Sequence, residues 1–319
     1  MNSKTQIGKV IFPSICSVEI NENILDMSNT ATITIPRNIS KLDFGNGNIL
    51  KFISVKDKVI VELGYNGQLS KQFTGYVREI ESDFPLKIYC EDESFLLRQN
   101  SFIKSYKSAT LFQILSDIIP KDITWECPEV NIGKYQIDKA SAYEVLNDLI
   151  KRYGLYSRLN EGHLKVGLAY DFSNKSHVHS YKIGYNVKTN NLKYKRKEDF
   201  KIRFKATATS PNGKKEHVIV GSLESNASER TLNFVGPMTK DQLKEKARAI
   251  MAKLVYDGYT GTITGFGYPE THAGDSIEIT DKFDPDRGGI YLIEQVNIRY
   301  SEDEGYKREN TLSYKLNSV

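Results

Sequence analysis

Apolar and polar residues alternate in short runs over the first hundred positions. In residues 30–36, Ala31, Ile33 and Ile35 fall on one face, and in residues 58–63, Val59, Val61 and Leu63 do the same. A period of two is that of a half-buried strand. Gly64-Tyr65-Asn66-Gly67 follows the second run. Asn-Gly tolerates positive φ at both positions and turns the chain back as a hairpin. The return strand is 71–80, and 85–90 supplies one more. Short strands separated by turn signals predict a small β-barrel over residues 1–100.

The period then changes. Thr110 can cap a helix whose apolar positions are Leu111, Ile114, Leu115 and Ile118, with Pro120 ending it. Ser141 and Glu144 form a capping box for a second helix, with Ala142, Val145, Leu146, Leu149, Ile150 and Tyr153 on one stripe and Gly154 placed to end it. Two short strand-like runs, 123–126 and 134–137, lie between these helices. Runs 155–159 and 163–168 flank a turn at Asn160-Glu161-Gly162. Residues 101–172 therefore predict a compact α+β unit. A polar link at 173–176 follows, and strands resume from about Tyr181. Runs 200–209 and 217–221 flank Pro211-Asn212-Gly213, another hairpin signal. One helix, 239–257, opens with Thr239 and Gln242 and carries Leu243, Ala247, Ile250, Met251 and Leu254. Strand-like segments at 260–266, 276–280, 290–300 and 310–316 complete a second barrel over 173–319. The expected fold is mostly β with α+β: two small β-barrel domains flanking a compact α+β domain.

Composition agrees. Of 319 residues, 39% are hydrophobic and 26% charged, which suits a globular chain of two or three domains. The net charge of +4 permits a polyanionic neighbour but lacks the clustered excess of a dedicated duplex-DNA binder. Cys16, Cys90 and Cys127 are odd in number and widely spaced, so neither a disulfide framework nor a zinc pattern is expected, and a reducing compartment is the natural reading. Residues 1–6 lack the apolar core of a signal peptide, and no stretch approaches the ~20 apolar residues that span a bilayer.

Few segments offer chemistry. The acidic stretch 281–289 resembles a calcium loop, but counting from Asp284 puts Gln295 where a bidentate Glu must close the shell; a polar turn is expected instead. His177 and His179 would share one face of a strand, with no third ligand nearby in sequence, and are expected to be exposed linker residues. Glu91-Asp92-Glu93 reads as a strand-end turn, since acid–base work needs two carboxyls in different environments. Gly258-Tyr259-Thr260-Gly261 and Gly265-Phe266-Gly267 match neither a P-loop nor a dinucleotide fingerprint, and no G-x-S-x-G elbow is present. The basic run Lys193-Tyr194-Lys195-Arg196-Lys197 continues through Lys201, Arg203 and Lys205, which alternate with Ile202 and Phe204. On a strand these cations would share a face. That face is a solvated barrel wall, a channel-lining or partner-facing surface, or a single-strand nucleic-acid platform, the last needing stacking aromatics that are sparse there.

Three stretches carry a family likeness. The first is Asp57-Lys58-Val59-Ile60-Val61-Glu62-Leu63-Gly64-Tyr65, then Phe73-Thr74-Gly75-Tyr76-Val77, then Ile88-Tyr89-Cys90-Glu91-Asp92. The second is Ala109-Thr110-Leu111 with its helix, then the Ser141 helix ending in Tyr153-Gly154-Leu155, and the strand from Gly162 to Gly167. The third is Gly265-Phe266-Gly267-Tyr268-Pro269, Ala273-Gly274-Asp275-Ser276-Ile277, Gly289-Ile290-Tyr291-Leu292-Ile293 and Gly305-Tyr306-Lys307. In this order they resemble the phage late control D and tail-hub family, which includes hubs of Mu-like contractile phages and the hub portion of type VI secretion spikes.

The resemblance implies a structural baseplate hub and not an enzyme, with no catalytic residue, metal or cofactor. It implies a homotrimer whose paired barrels give a ring with pseudo-six-fold symmetry between tail tube and central spike. The implied partners are its own copies, a tail tube protein, a separate spike protein (no needle follows Leu316), and tape-measure protein or DNA passing through the lumen. Synthesis is expected in the bacterial cytoplasm, with assembly into a virion tail or injection machine. Lys193, Lys195, Arg196, Lys197, Lys201, Arg203 and Lys205 are the expected lumen or partner-facing strand. The alternatives are a single-stranded nucleic-acid-binding barrel protein and a tail-associated cell-wall hydrolase.

Overall fold

The computed structural model describes residues 1–36, 49–81, 85–167 and 177–316; the polar link 173–176 and Leu168 lie outside them. Alternation sets the first strands: β1 (Asn2–Ile7), β2 (Val10–Phe12), β3 (Ser17–Asn23), β4 (Thr30–Ile35), β5 (Lys58–Tyr65), β6 (Gln68–Glu81) and β7 (Leu86–Glu91). Ala31, Ile33 and Ile35 of β4 and Val59, Val61 and Leu63 of β5 are buried, as are Leu86, Ile88 and Cys90 of β7. Each fully buried aliphatic side chain contributes about 1.5–3 kcal/mol relative to exposure. Asn66 and Gly67 make the β5–β6 turn, both at positive φ.

The middle of the chain has its own core. After a 3-10 helix (Glu93–Arg98) come β8 (Ser101–Thr110), α1 (Leu111–Ile118), β9 (Thr124–Glu126), β10 (Asn131–Ser141), α2 (Ala142–Tyr153), β11 (Tyr156–Asn160) and β12 (His163–Gly167). Thr110 with Gln113 and Ser141 with Glu144 close full capping boxes, and Gly154 ends α2 in the left-handed region. Leu111, Ile114, Leu115 and Ile118 of α1 pack with Val145, Leu146 and Leu149 of α2. β8 pairs with β10 as an antiparallel ribbon, and β11, β12 and β9 form a small sheet. β8 was not anticipated because it buries only Ala109 and so shows no apolar face.

The last part holds β13 (Val178–Lys182), β14 (Val187–Lys195), β15 (Ile202–Thr209), β16 (Lys215–Gly221), β17 (Ser228–Val235), α3 (Lys240–Leu254), β18 (Gly258–Phe266), β19 (Ser276–Thr280), β20 (Gly289–Ser301) and β21 (Gly305–Leu316). Thr239 and Gln242 box the start of α3. β16-β15-β17 form a separate sheet. Leu243 and Ala247 of α3 close a core with its Ala206, Ala208, Val220 and Phe234.

Among the described residues the two halves do not close as separate barrels. The strands make one 13-stranded sheet, β14-β18-β21-β20-β3-β4-β7-β6-β5-β1-β2, with β13 and β19 branching from β20. No closed barrel occurs among the described residues. A barrel closes only when its own last strand bonds its first. Here the exposed edges of the two halves bond each other, β3 to β20 over seven residue pairs from Ser17↔Ser301 to Asn23↔Gln295. Ile20, Ile33 and Val61 accordingly share one core cluster with Tyr291, Ile293 and Ile298. The architecture is mostly β with α+β.

Two glycines set how the small α3 sheet sits on the α+β unit. A Cβ on Gly133 would lie 1.9 Å from the Pro211 carbonyl oxygen, and one on Gly154 would lie 2.4 Å from that of Asn233. Both glycines also have positive φ. Asn233 Nδ2 donates to the Lys151 carbonyl at 2.9 Å across the same junction.

Candidate functional site

The structure divides the basic run between two sheets. Lys193 and Lys195 are on β14, the terminal strand of the main sheet, opposite in face to Tyr194, whose ring meets Tyr259 edge-on at 5.9 Å. Arg196 and Lys197 sit in the following turn. Arg203 and Lys205 are on β15, in the separate sheet, with Lys201 just before it. The expected alternation holds on β15, where Phe204 is buried and Lys205 exposed. The run does not lie on one strand, because the chain changes sheets between Lys197 and Ile202. Carboxylates also neutralise several members: Lys201 pairs with Glu224 at 2.7 Å, Arg203 with Glu229 at 3.0 Å and Arg196 with Glu198 at 3.4 Å.

A second group of cations went unremarked in the sequence. Residues 188–256 hold 16 Lys and Arg against 7 Asp and Glu. Lys240, Lys244, Arg248 and Lys253 stand exposed on α3, and none has an ion-pair partner among the described residues. The i, i+4 spacing of Lys240, Lys244 and Arg248 places them on one stripe. The helix carries no aromatic residue, so this surface offers charge without stacking.

In the acidic stretch 281–289, Asp281 Oδ1 accepts the Phe283 amide at 2.9 Å, and Asp284 pairs with Arg287 at 3.1 Å. Their carboxylates are spent on the turn itself. Among the described residues no group of three or more His, Cys, Asp and Glu is arranged to hold a metal.

The expectation of exposed linker histidines fails at His179. It lies on β13, only 20% exposed, with Nε2 3.0 Å from Asp275 Oδ2. The partner lies 96 residues away, which is why the sequence could not show it. Both residues line a polar cleft of about 1190 Å³, together with Glu22, Asp92, Arg158, His163, His177 and His272. Four of the five histidines thus face one space.

The acids at 91–93 occupy different environments. Glu91 is buried and accepts Arg98 Nε at 3.0 Å on both oxygens and the Ser28 hydroxyl at 2.8 Å. The Arg98 guanidinium in turn stacks 3.2 Å over the Tyr143 ring of α2. Asp92 caps the 3-10 helix, accepting the Ser94 amide at 3.0 Å and the Asn29 amide at 2.7 Å. Burial pushes its carboxyl up to about 6, against the pull of these hydrogen bonds. This is structural capping that ties β4, β7 and α2 together.

Arg308 is the functional-looking residue that sequence reasoning missed. It is fully buried on β21. It donates to the carbonyls of Gly267 at 2.9 Å and Thr271 at 2.6 Å, to the Tyr306 hydroxyl at 2.9 Å, and to Gln72. A lone Arg among strand residues carries no sequence signal of such a role. It holds the 267–275 loop at the cleft wall.

This mostly-β, α+β architecture is that of phage tail proteins and of a type VI secretion component. The tail protein from Neisseria meningitidis MC58 superposes with a TM-score of 0.63 at 15% identity, covering 98% of this chain and 96% of its own. The 43 kDa tail protein of prophage MuSo2 from Shewanella oneidensis gives 0.62 at 17% identity, with 98% of each chain covered. An E. coli component of the type VI secretion system, described as structurally similar to bacteriophage T4 tail proteins, gives 0.58 at 10% identity over 98% of this chain and 77% of its own. No family model matches the chain, and no curated protein matches it in sequence. No helix among the described residues is long and apolar enough to cross a membrane.

Proposed function

We propose that this chain is a structural hub subunit of a phage tail or a related injection machine, working through its surfaces and not through a reaction. The observation that carries this reading is end-to-end likeness: two tail proteins match over nearly the whole of both chains. A shared single domain would support much less.

The working unit is a homotrimeric ring. Each subunit offers two strand-rich ends, 1–100 and 173–319, around the unit 101–172. Three subunits then present six such modules, which lets a closed three-fold ring meet a six-fold tail tube on one side and a three-fold spike on the other. Lys193, Lys195, Lys197 and Lys205, joined by Lys240, Lys244 and Arg248, form the surface toward a polyanionic partner or the lumen contents. Arg196, Lys201 and Arg203 contribute less, since their charge is already met by carboxylates. Assembly into a virion tail or injection machine follows from this role.

Negative-stain imaging of the purified protein tests the ring. Class averages along the axis should show three-fold symmetry with six outer lobes. Averages with two-fold symmetry overturn the proposal.

A further inference from the structure

The loop 267–275, between β18 and β19, is fastened in two chemically different ways. One side rests on Arg308, which donates to the Gly267 and Thr271 carbonyls. The other side rests on two histidine–carboxylate contacts. His272 Nδ1 lies 3.0 and 3.2 Å from the oxygens of Glu22 on β3, and the Ala273 amide donates to Glu22 Oε2 at 3.0 Å. Asp275 Oδ2 accepts the His272 amide at 2.9 Å and lies 3.0 Å from His179 Nε2 on β13. Glu22 is 5% exposed, whereas the His272 side chain is 43% exposed, so the buried carboxylate meets protons through its histidine. Both contacts line the cleft.

We propose that loop 267–275 is a proton-operated latch, which fastens the β18–β19 connection to β3 and β13 and sets the opening of the cleft. Glu22 belongs to the first half of the chain and the loop to the last half. The latch therefore acts across the junction where β3 bonds β20.

The charged groups facing it fix the sign. Glu22 faces His272 and, from β11, Arg158; His272 also faces Asp275 within the loop and Arg308 from β21. The hydrogen bond to Glu22 raises His272 above its ordinary 6.5, against burial and with help from the Glu22 charge. Burial pushes Glu22 up, but the His272 bond and charge outweigh it and leave Glu22 below its ordinary 4.5. A raised histidine contributes fully below its unfolded pKa, and the contribution is lost as pH rises through the folded value. A lowered carboxylate contributes above its unfolded pKa and loses that on acidification. The latch is thus firm between about 4.5 and 6.5 and loosens toward alkaline pH.

Hydrogen exchange on the intact protein tests it, read at the His272 and Ala273 amides and corrected for intrinsic rates. Between pH 6 and 8.5 the wild type should lose protection there, as the raised His272 gives up its proton. His272→Gln keeps a donor but cannot titrate, so its protection should change less than about twofold over the same range. Equal loss in both proteins, or none in the wild type, overturns the proposal. Should the variant fold poorly, NMR titration of the His272 ring in the wild type decides: a midpoint above 6.5 supports the latch, and one at or below 6.5 overturns it.

Discussion

Arg308 shows how much one buried residue can organise. Removing it strands the Gly267 and Thr271 carbonyls and the Gln72 amide oxygen in a site without solvent. An unmet buried polar group costs about 1–3 kcal/mol, so Arg308→Ala should lower unfolding stability by about 3 kcal/mol or more. Arg308→Lys should recover only part of this, because one ammonium cannot reach the positions a planar guanidinium serves. Urea unfolding at constant pH checks both. Asp92 makes a pH prediction at the same scale. Its carboxyl is raised from 3.8 to about 6. A raised acid loses its contribution as pH climbs from the unfolded to the folded value, so stability from this group falls between pH 4 and 6. At about 1.4 kcal/mol per pKa unit, the wild type should lose about 3 kcal/mol relative to Asp92→Asn across that window. Parallel stability curves for the two proteins would contradict this. The turn at Asp92 was legible in the sequence, but the long-range roles were not. Arg308, His179 and Glu22 acquire partners 37 or more residues away, and linear order carries no sign of such meetings.

Elements announce themselves better than residues. The capping boxes at Ser141 and Thr239 are local patterns of four residues and form as read, and the cap read at Thr110 proves to be a full box with Gln113. Ser141→Ala should cost about 1 kcal/mol, measurable by thermal unfolding. The alternation of β4 and β5 was equally plain, since a buried face needs a period of two. β8 escaped for the opposite reason: a ribbon strand exposed on both faces has no period to read. The basic run was visible, but its division between β14 and β15 was not, because nothing in a run of cations reveals a change of sheet. Charge without a carboxylate partner remains on α3, whereas Lys201 and Arg203 of the strand are paired. Reversing Lys240, Lys244 and Arg248 together should therefore weaken binding to an anionic partner more than reversing Lys201 and Arg203. Retention on a heparin column across a salt gradient measures this, with the α3 variant expected to elute at the lower salt. Equal elution would return the role to the strand.

At the scale of the molecule, the strand-rich ends were expected to close separately and instead share one sheet. The β3–β20 pairing brings together segments some 280 residues apart, a contact of high order that periodicity cannot encode. Its consequence is mechanical. The two ends are bonded edge to edge within a subunit, which resists a change in their relative angle. That rigidity is what a ring needs if two modules per chain are to stand at six even positions. The mass of the purified protein in solution, by light scattering over a wide concentration range, tests this most directly. The account predicts a species of about 109 kDa, three times the 36.3 kDa chain. A stable dimer of about 73 kDa would contradict it, since a two-fold assembly has no place on a three-fold axis.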